Sequence, residues 1–318
     1  MGLGRSPGTV IGPLTYLSHR YNRWNADDRR FFARSGEVSQ RQAGQKVGNV
    51  QALVLFSTPE ILNGQLVSLS YVDNPLGKIA KEPEKSGGPM KEILRDLLRR
   101  EWPAISGGRK QGTVFWCKVD RRDIRTTYER VIRTVAALAG TGGQGKEMWA
   151  NLTGGNNVIN LALELAAILS GDVARLYYVQ AENEAAEKCV RYTAEDGYWV
   201  DLPVMPLALG RLRQTIIQVL NDNGPISLED LYSYLQSKYW NLSQGLTSEE
   251  TLRNEYLAPL WKQGLIAEVE GGYVVGPQWE LIRPYQELLQ KARDVKLTIE
   301  ELAEENKDWL EKEEVSWN

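Results

Sequence analysis

The chain has 318 residues, 42% of them hydrophobic and 25% charged, with a formal net charge of −3. That length allows two domains with a buried core, and so ordinary a composition excludes a fibrous or wholly disordered chain. No apolar stretch approaches the roughly 20 residues of a bilayer span. Thr9–Leu17 is broken by glycine and proline and is followed by no small-residue cleavage site, so no secretory leader is expected. The two cysteines, Cys117 and Cys189, make no disulfide framework and are expected as small buried hydrophobes in strands of a cytoplasmic protein. A single histidine, His19, excludes a serine–histidine–aspartate hydrolase, a multi-histidine zinc site and a ribonuclease with an Arg-x-x-x-x-His motif. Its surroundings, Ser18-His-Arg-Tyr-Asn22, are expected on a polar surface.

Charge is uneven along the chain: +5 over residues 1–49, zero over 50–210, −3 over 211–284 and −5 over 285–318. The first 49 residues show no sustained period and are expected as a basic arm, partly ordered around Trp24, Phe31 and Phe32 or else disordered. Val50–Phe56 then reads as a buried strand ending at Ser57-Thr58-Pro59, where hydroxyls and a turn coincide. Leu66–Val72 is a second candidate strand, and Lys78–Pro89 a charged loop. Met90–Trp102 is an amphipathic helix with Ile93, Leu94, Leu97 and Leu98 inward. Val114–Val119 is a strand and Asp123–Leu138 a helix.

Met148–Leu152 leads into Asn151-Leu-Thr-Gly-Gly-Asn-Asn157, which opens a helix with Val158, Leu161, Ala162, Leu165, Ile168 and Leu169 at helical spacing. Two glycines let the backbone approach a ligand closely, and the helix start presents unpaired N–H groups that suit phosphate. Val173–Val179 and Tyr198–Leu202 read as further strands. Strands alternating with helices imply an α/β fold with a mainly parallel sheet covered on both faces.

Residues 211–284 differ. Leu212–Leu220 is a helix stopped by Asn221-Asp-Asn-Gly-Pro225, and Ser227 caps a second, running to about Tyr239. Thr247 is expected to cap a third, with Glu250 at its capping-box position, and Leu265–Val269 and Tyr273–Val275 flank a Gly271-Gly272 turn. Three helices and a hairpin are the layout of a winged helix-turn-helix. Within the third helix Thr251, Arg253 and Asn254 are the candidates to read double-stranded DNA, whereas Glu249, Glu250 and Glu255 repel phosphate. Tyr285–Trp317 reads as an acidic terminal helix.

With its strand–glycine–helix junction and the hydroxyl loop at Phe56-Ser-Thr58, the segment 50–210 resembles the CRISPR-associated Rossmann-fold (CARF) sensor proteins. The resemblance implies a homodimer that binds a cyclic oligoadenylate across its two-fold axis during antiviral defense. Carried onto this chain, Ser57 and Thr58 match the first ligand loop, and Thr153, Gly154, Gly155, Asn156 and Asn157 the second. Asn157 stands where some relatives carry lysine. The expectation is therefore a Rossmann-like ligand sensor relaying to a winged helix that contacts DNA, as in transcription regulation, or protein. No catalytic residue, metal or cofactor is assigned. The alternative is a metal-independent phosphodiesterase, a ring nuclease, that opens the cyclic ligand. A conventional nucleotide enzyme is disfavoured because no Gly-x-Gly-x-x-Gly fingerprint is present. A restriction-type nuclease is disfavoured because Asp294-Val-Lys296, the nearest match to its motif, lies in the predicted terminal helix.

Overall fold

Strand β1 (Ala52–Ser57) buries Leu53 and Leu55 on one side and Phe56 on the other, the mark of a strand covered on both faces. The computed structural model describes residues 1–32, 48–75, 84–141, 147–179, 188–194, 199–203 and 210–317. They fall into two compact units, Met1–Pro206 with Lys291–Asn318, and Leu207–Gln290. Among them no helix is long and apolar enough to cross a membrane.

In the first unit β1 pairs in parallel with β3 (Gln111–Lys118), placing Leu53 opposite Val114 and Leu55 opposite Trp116. β10 (Leu310–Ser316) adds to the outer side of β3 antiparallel. A second sheet joins β4 (Met148–Asn151) in parallel to β5 (Val173–Val179), and β5 antiparallel to β7 (Trp199–Leu202). The extended residues Met1–Leu3 lie between these two sheets. Phe56 N–H donates to the Met1 carbonyl, Leu3 N–H to Phe56, and Gly2 N–H to Asn151 across the gap. The order is thus β10, β3, β1, Met1–Leu3, β4, β5, β7, and successive strands are added outward in both directions from Met1–Leu3. A separate parallel pair, β2 (Val72–Pro75) with β6 (Cys189–Arg191), packs against helix α1 (Gly8–Arg23), where Gly12 lies beside the Tyr192 ring.

Helices cover both faces. Val10, Ile11 and Leu14 of α1 and Leu94, Leu97 and Leu98 of α4 (Met90–Glu101) share a core with Val114 and Trp116. Cys117, one residue on, points to the other face, where Thr134 and Arg130 of α5 (Ile124–Thr141) approach it and burial pushes its thiol pKa up. α6 (Asn157–Ser170) packs beside α5. Both cysteines are buried in strands. Short helices α2 (Ala26–Phe32) and α3 (Pro59–Leu62) follow α1 and β1.

The second unit holds α7 (Arg211–Asn223), α8 (Leu228–Lys238) and α9 (Trp240–Ser243). Next, α10 (Glu249–Thr251) runs through a π turn (Leu252–Leu257) into α11 (Ala258–Lys262), and the hairpin β8 (Ile266–Val269) and β9 (Gly272–Val275) follows. Pro259 lacks the N–H that an α-helix would aim at the Glu255 carbonyl, and Arg213 Nη2 donates to that carbonyl instead at 3.1 Å. Ser248, not Thr247, caps this helix, accepting from Thr251 N–H, so Glu250 is not at the capping-box position. α12 (Pro277–Val295) and α13 (Ile299–Glu305) lead back to β10.

Two expectations are corrected at the ends of the chain. Residues 1–32 are not an arm: nine residues of α1 are buried, and Arg20 and Arg23 are spent on the Asp28 carboxylate. Residues 33–47 lie outside the described set, as do Tyr198 and part of the predicted 78–89 loop. The terminal segment is not one helix either. Leu310–Ser316 buries Leu310 on one face and Val315 on the other and becomes an edge strand, where Glu313 pairs with Arg95 and accepts from Trp116 Nε1. Leu66–Ser70 forms no strand; Tyr71 makes an isolated antiparallel bridge to Lys85, and the strand begins at Val72. His19 is not a free polar surface group, since its Nδ1 accepts the Ala194 N–H.

Asp28 has a fully buried side chain, and hydrogen bonds from Arg23, above all, hold its carboxyl below the ordinary carboxylate range. A carboxyl depressed in the fold stabilises above its unfolded pKa, and that stabilisation is lost as pH falls through the folded value. Asp28→Asn is expected to cost about 2 kcal/mol at neutral pH, read by urea unfolding, with the gap to the wild type closing at pH 3 and below. An equal gap at both pH values would remove this role.

Candidate functional site

The carboxyl ends of Met1–Leu3 and β4 each run into a glycine-bearing turn and then a helix: Gly4–Pro7 before α1, whose first turn holds Gly8 and Thr9, and Leu152–Asn156 before α6. In an open α/β sheet the ligand crevice forms at this switch of strand order. The second turn touches Met1–Leu3 through backbone. A Cβ on Gly2 would stand 2.4 Å from the Gly154 carbonyl oxygen, and one on Gly154 would stand 2.5 Å from that of Gly2. Glycine is required at both because two main chains meet there.

Asn151, fully buried, locks the junction. Its Nδ2 donates to the Thr9 carbonyl at 3.1 Å and its Oδ1 accepts from Thr153 N–H at 2.8 Å. Thr153 Oγ1 donates to the same Oδ1 and accepts from Val179 N–H at 2.8 Å. Asn160 Nδ2 donates to the Leu152 carbonyl. The Asn156 side chain caps α6 by accepting from Ile159 N–H.

The consequence is two helix starts side by side. Neither α1 nor α6 has an acidic residue in its first turn, so the positive ends of both dipoles meet no neighbouring carboxylate from their own helix. Arg5, exposed, is steered by an Nε bond to the Val67 carbonyl at 2.8 Å. Ser6 and Thr9 are half-buried, and Asn157 at the start of α6 is exposed. The Ser6 and Thr9 hydroxyls, the Asn157 amide and the Arg5 guanidinium all lie at these two helix starts, the Thr9 hydroxyl donating to the Ser6 carbonyl at 2.9 Å; such groups suit phosphate and ribose oxygens.

The sequence-predicted residues divide between two places. Ser57 is fully buried and donates to the Leu3 carbonyl at 2.7 Å. Thr58 is buried, and the Glu60 N–H above all, with the Thr58 hydroxyl, holds the Glu60 carboxyl below its ordinary value. Met1–Leu3 intervenes between β1 and β4, so the ends of those strands stand about two strand spacings, or 10 Å, apart. The structure does not bring Ser57 and Thr58 together with the second loop. Thr153 and Gly154 shape that loop from within, while Gly155, Asn156 and Asn157 form its outer part. The place expected for the first loop is taken by Gly4-Arg5-Ser6-Pro7-Gly8-Thr9. Pro7-Gly8 ahead of Val10, Leu14 and Leu17, at helical spacing, was the available signal. In the second unit Arg253 and Asn254 are exposed on the π turn, whereas Thr251 is half-buried with its hydroxyl bonded to Thr247 and Ser248.

No protein-family model matches the chain. It is similar to an uncharacterized protein of Archaeoglobus fulgidus, with 23% identity over 252 residues, covering 74% of this chain and 77% of the relative.

If backbone contact is the reason for Gly154, Gly154→Ala is expected to destabilise the first unit by about 2 kcal/mol, as overpacking does. Gly4→Ala is the control, because a Cβ there meets only the Gly155 backbone at 3.7 Å; its cost should stay within about 0.5 kcal/mol. Equal costs in urea unfolding would contradict the close-approach reading.

Proposed function

We propose that this protein is a ligand-gated regulator that binds a cyclic oligoadenylate at the Met1–Leu3/β4 switch point and passes that event to a winged-helix output in residues 207–290. One observation carries the reading: two helix starts without first-turn carboxylates lie close together where a Cβ on Gly154 would stand 2.6 Å from Thr9 Cβ. An anion gains there from both dipoles and from backbone donors together. The ligand set differs from the one expected from sequence. Arg5, Ser6 and Thr9 on the first turn and Gly155, Asn156 and Asn157 on the second are assigned to the ligand, and Ser57 and Thr58 to the fold.

A homodimer fits this reading. Leu161 of α6 is 52% exposed, as is Leu69, whose N–H bonds the Arg5 carbonyl. Leu66 and Val67 are exposed alongside. Apolar side chains rimming a polar site suit a self-complementary contact, and a two-fold pair presents matching halves to a symmetric ring.

For the output, exposed Arg253 and Asn254 favour DNA, while Glu249, Glu250 and Glu255, exposed on the same helix, oppose phosphate. Exposed Trp240 and Trp261 favour a protein contact. A mobility shift at low salt that ligand strengthens or abolishes is expected for DNA output. No shift at low salt assigns residues 207–290 to protein contact.

Asn157→Asp separates ligand binding from folding. A carboxylate at the start of α6 should stabilise the free protein by about 0.3–1 kcal/mol while repelling an anionic ring. Cyclic tetra- or hexa-adenylate at 100 times its Kd should stabilise the wild type by about 2.7 kcal/mol, seen as a rise in Tm, and most of that rise should vanish in the variant. No rise with any ring size in the wild type removes the ligand assignment.

A further inference from the structure

We propose that the second unit holds a small-molecule seat of its own, between Arg211–Arg213 of α7 and the π turn. Its occupant is a phosphate monoester carrying a planar base, the chemistry of a nucleoside monophosphate. The seat lies wholly within the second unit and is independent of the occupant proposed for the switch point.

The π turn shapes it. Pro259 leaves the Glu255 carbonyl without its helical donor, and Arg213 Nη2 reaches from α7 to bond that oxygen at 3.1 Å. One bond of this kind fixes the guanidinium and leaves its remaining N–H groups as donors. The same guanidinium stands 6.0 Å from the centre of the Tyr256 ring. Gly210, Arg211, Leu212, Arg213, Glu255 and Tyr256 line an open cavity of about 440 Å³, within the roughly 300–1,000 Å³ of small-molecule sites. Leu212 is buried and Tyr256 half-buried, whereas Arg211 and Glu255 are exposed.

Charge selects the occupant. Among the described residues neither the Arg211 guanidinium nor the Glu255 carboxylate has an ion-pair partner. Two guanidiniums on one cavity match the two charges of a phosphate monoester, and a guanidinium can bond phosphate through two N–H groups at once. A single carboxylate would leave one of them uncompensated. Glu255 accepts hydrogen bonds, which suits ribose hydroxyls or an exocyclic amine on the same molecule. The half-buried Tyr256 ring offers aromatic surface to a planar base. A long polyanion fits poorly, because Glu249 and Glu250 are exposed on the same helix as Glu255 and repel a phosphate backbone. One small molecule reaches the guanidiniums without passing those two carboxylates.

The test is titration calorimetry of the full chain with AMP. Arg211 is exposed, so Arg211→Ala should fold as the wild type does. It is expected to weaken AMP binding about tenfold or more, as loss of a charged hydrogen bond does. Arg213→Lys keeps the charge without the fork, and a smaller loss is expected. Asn157→Asp, which alters only the switch point, should bind AMP as the wild type does. No binding at millimolar AMP overturns the seat. Equal affinity in the wild type and Arg211→Ala, or a loss in Asn157→Asp as large as in Arg211→Ala, overturns it too. Inorganic phosphate should bind more weakly than AMP, and equal affinities would overturn the nucleoside assignment. A DNA mobility shift that Arg211→Ala abolishes, with no AMP binding, gives the guanidiniums to a nucleic-acid backbone and overturns the small-molecule occupant.

Discussion

Three extended residues, Met1–Leu3, join what would otherwise be two separate sheets. They bond β1 in parallel on one side and the end of β4 on the other. Their position lets the sheet extend from a common centre toward β1 on one side and β4 on the other, and a crevice at the carboxyl end follows from that topology. The fit leaves no room for side chains, since Gly2 and Gly154 meet through carbonyl oxygens. Asn151 closes the junction by bonding both turns. Two helix starts are thereby held together without an acidic neighbour in either first turn.

Much of the architecture was legible because it rests on local signals. The runs at Ala52–Ser57, Gln111–Lys118 and Val173–Val179 are short, apolar and β-branched or aromatic, and they became strands. The Gly–Gly turn ahead of α6 was visible through its glycines and the helical spacing behind them. What escaped was set by distant partners. Gly4–Thr9 looks like a flexible leader until Met1–Leu3 is paired with β1. Leu310–Ser316 is charged enough to read as helix, and becomes a strand because Arg95, Lys91 and Trp116 await its glutamates. Ser57 and Thr58 have the right chemistry at the end of the right kind of strand, but on the far side of a strand the sequence did not reveal. The unusual pairing of Arg175 with Asp201 among Phe31, Trp149 and Trp199 was likewise invisible, its members being scattered over 170 residues of chain.

The chain passes through the two units in an interrupted order. It leaves the first unit after residue 206, builds residues 207–290, and returns to lay β10 against β3. Acidic residues outnumber basic ones over 211–284, which weakens non-specific attraction to nucleic acid and gives the exposed tryptophans more weight in the choice of partner.

The most direct test of the switch-point site is the footprint of a cyclic oligoadenylate by hydrogen exchange on the wild-type chain. Slowed exchange confined to residues 4–10 and 153–159 is expected, since those amides form the two turns and helix starts. Protection centred on residues 57–62 instead, or none at either turn at saturating ligand, would contradict the site and the sensor built on it.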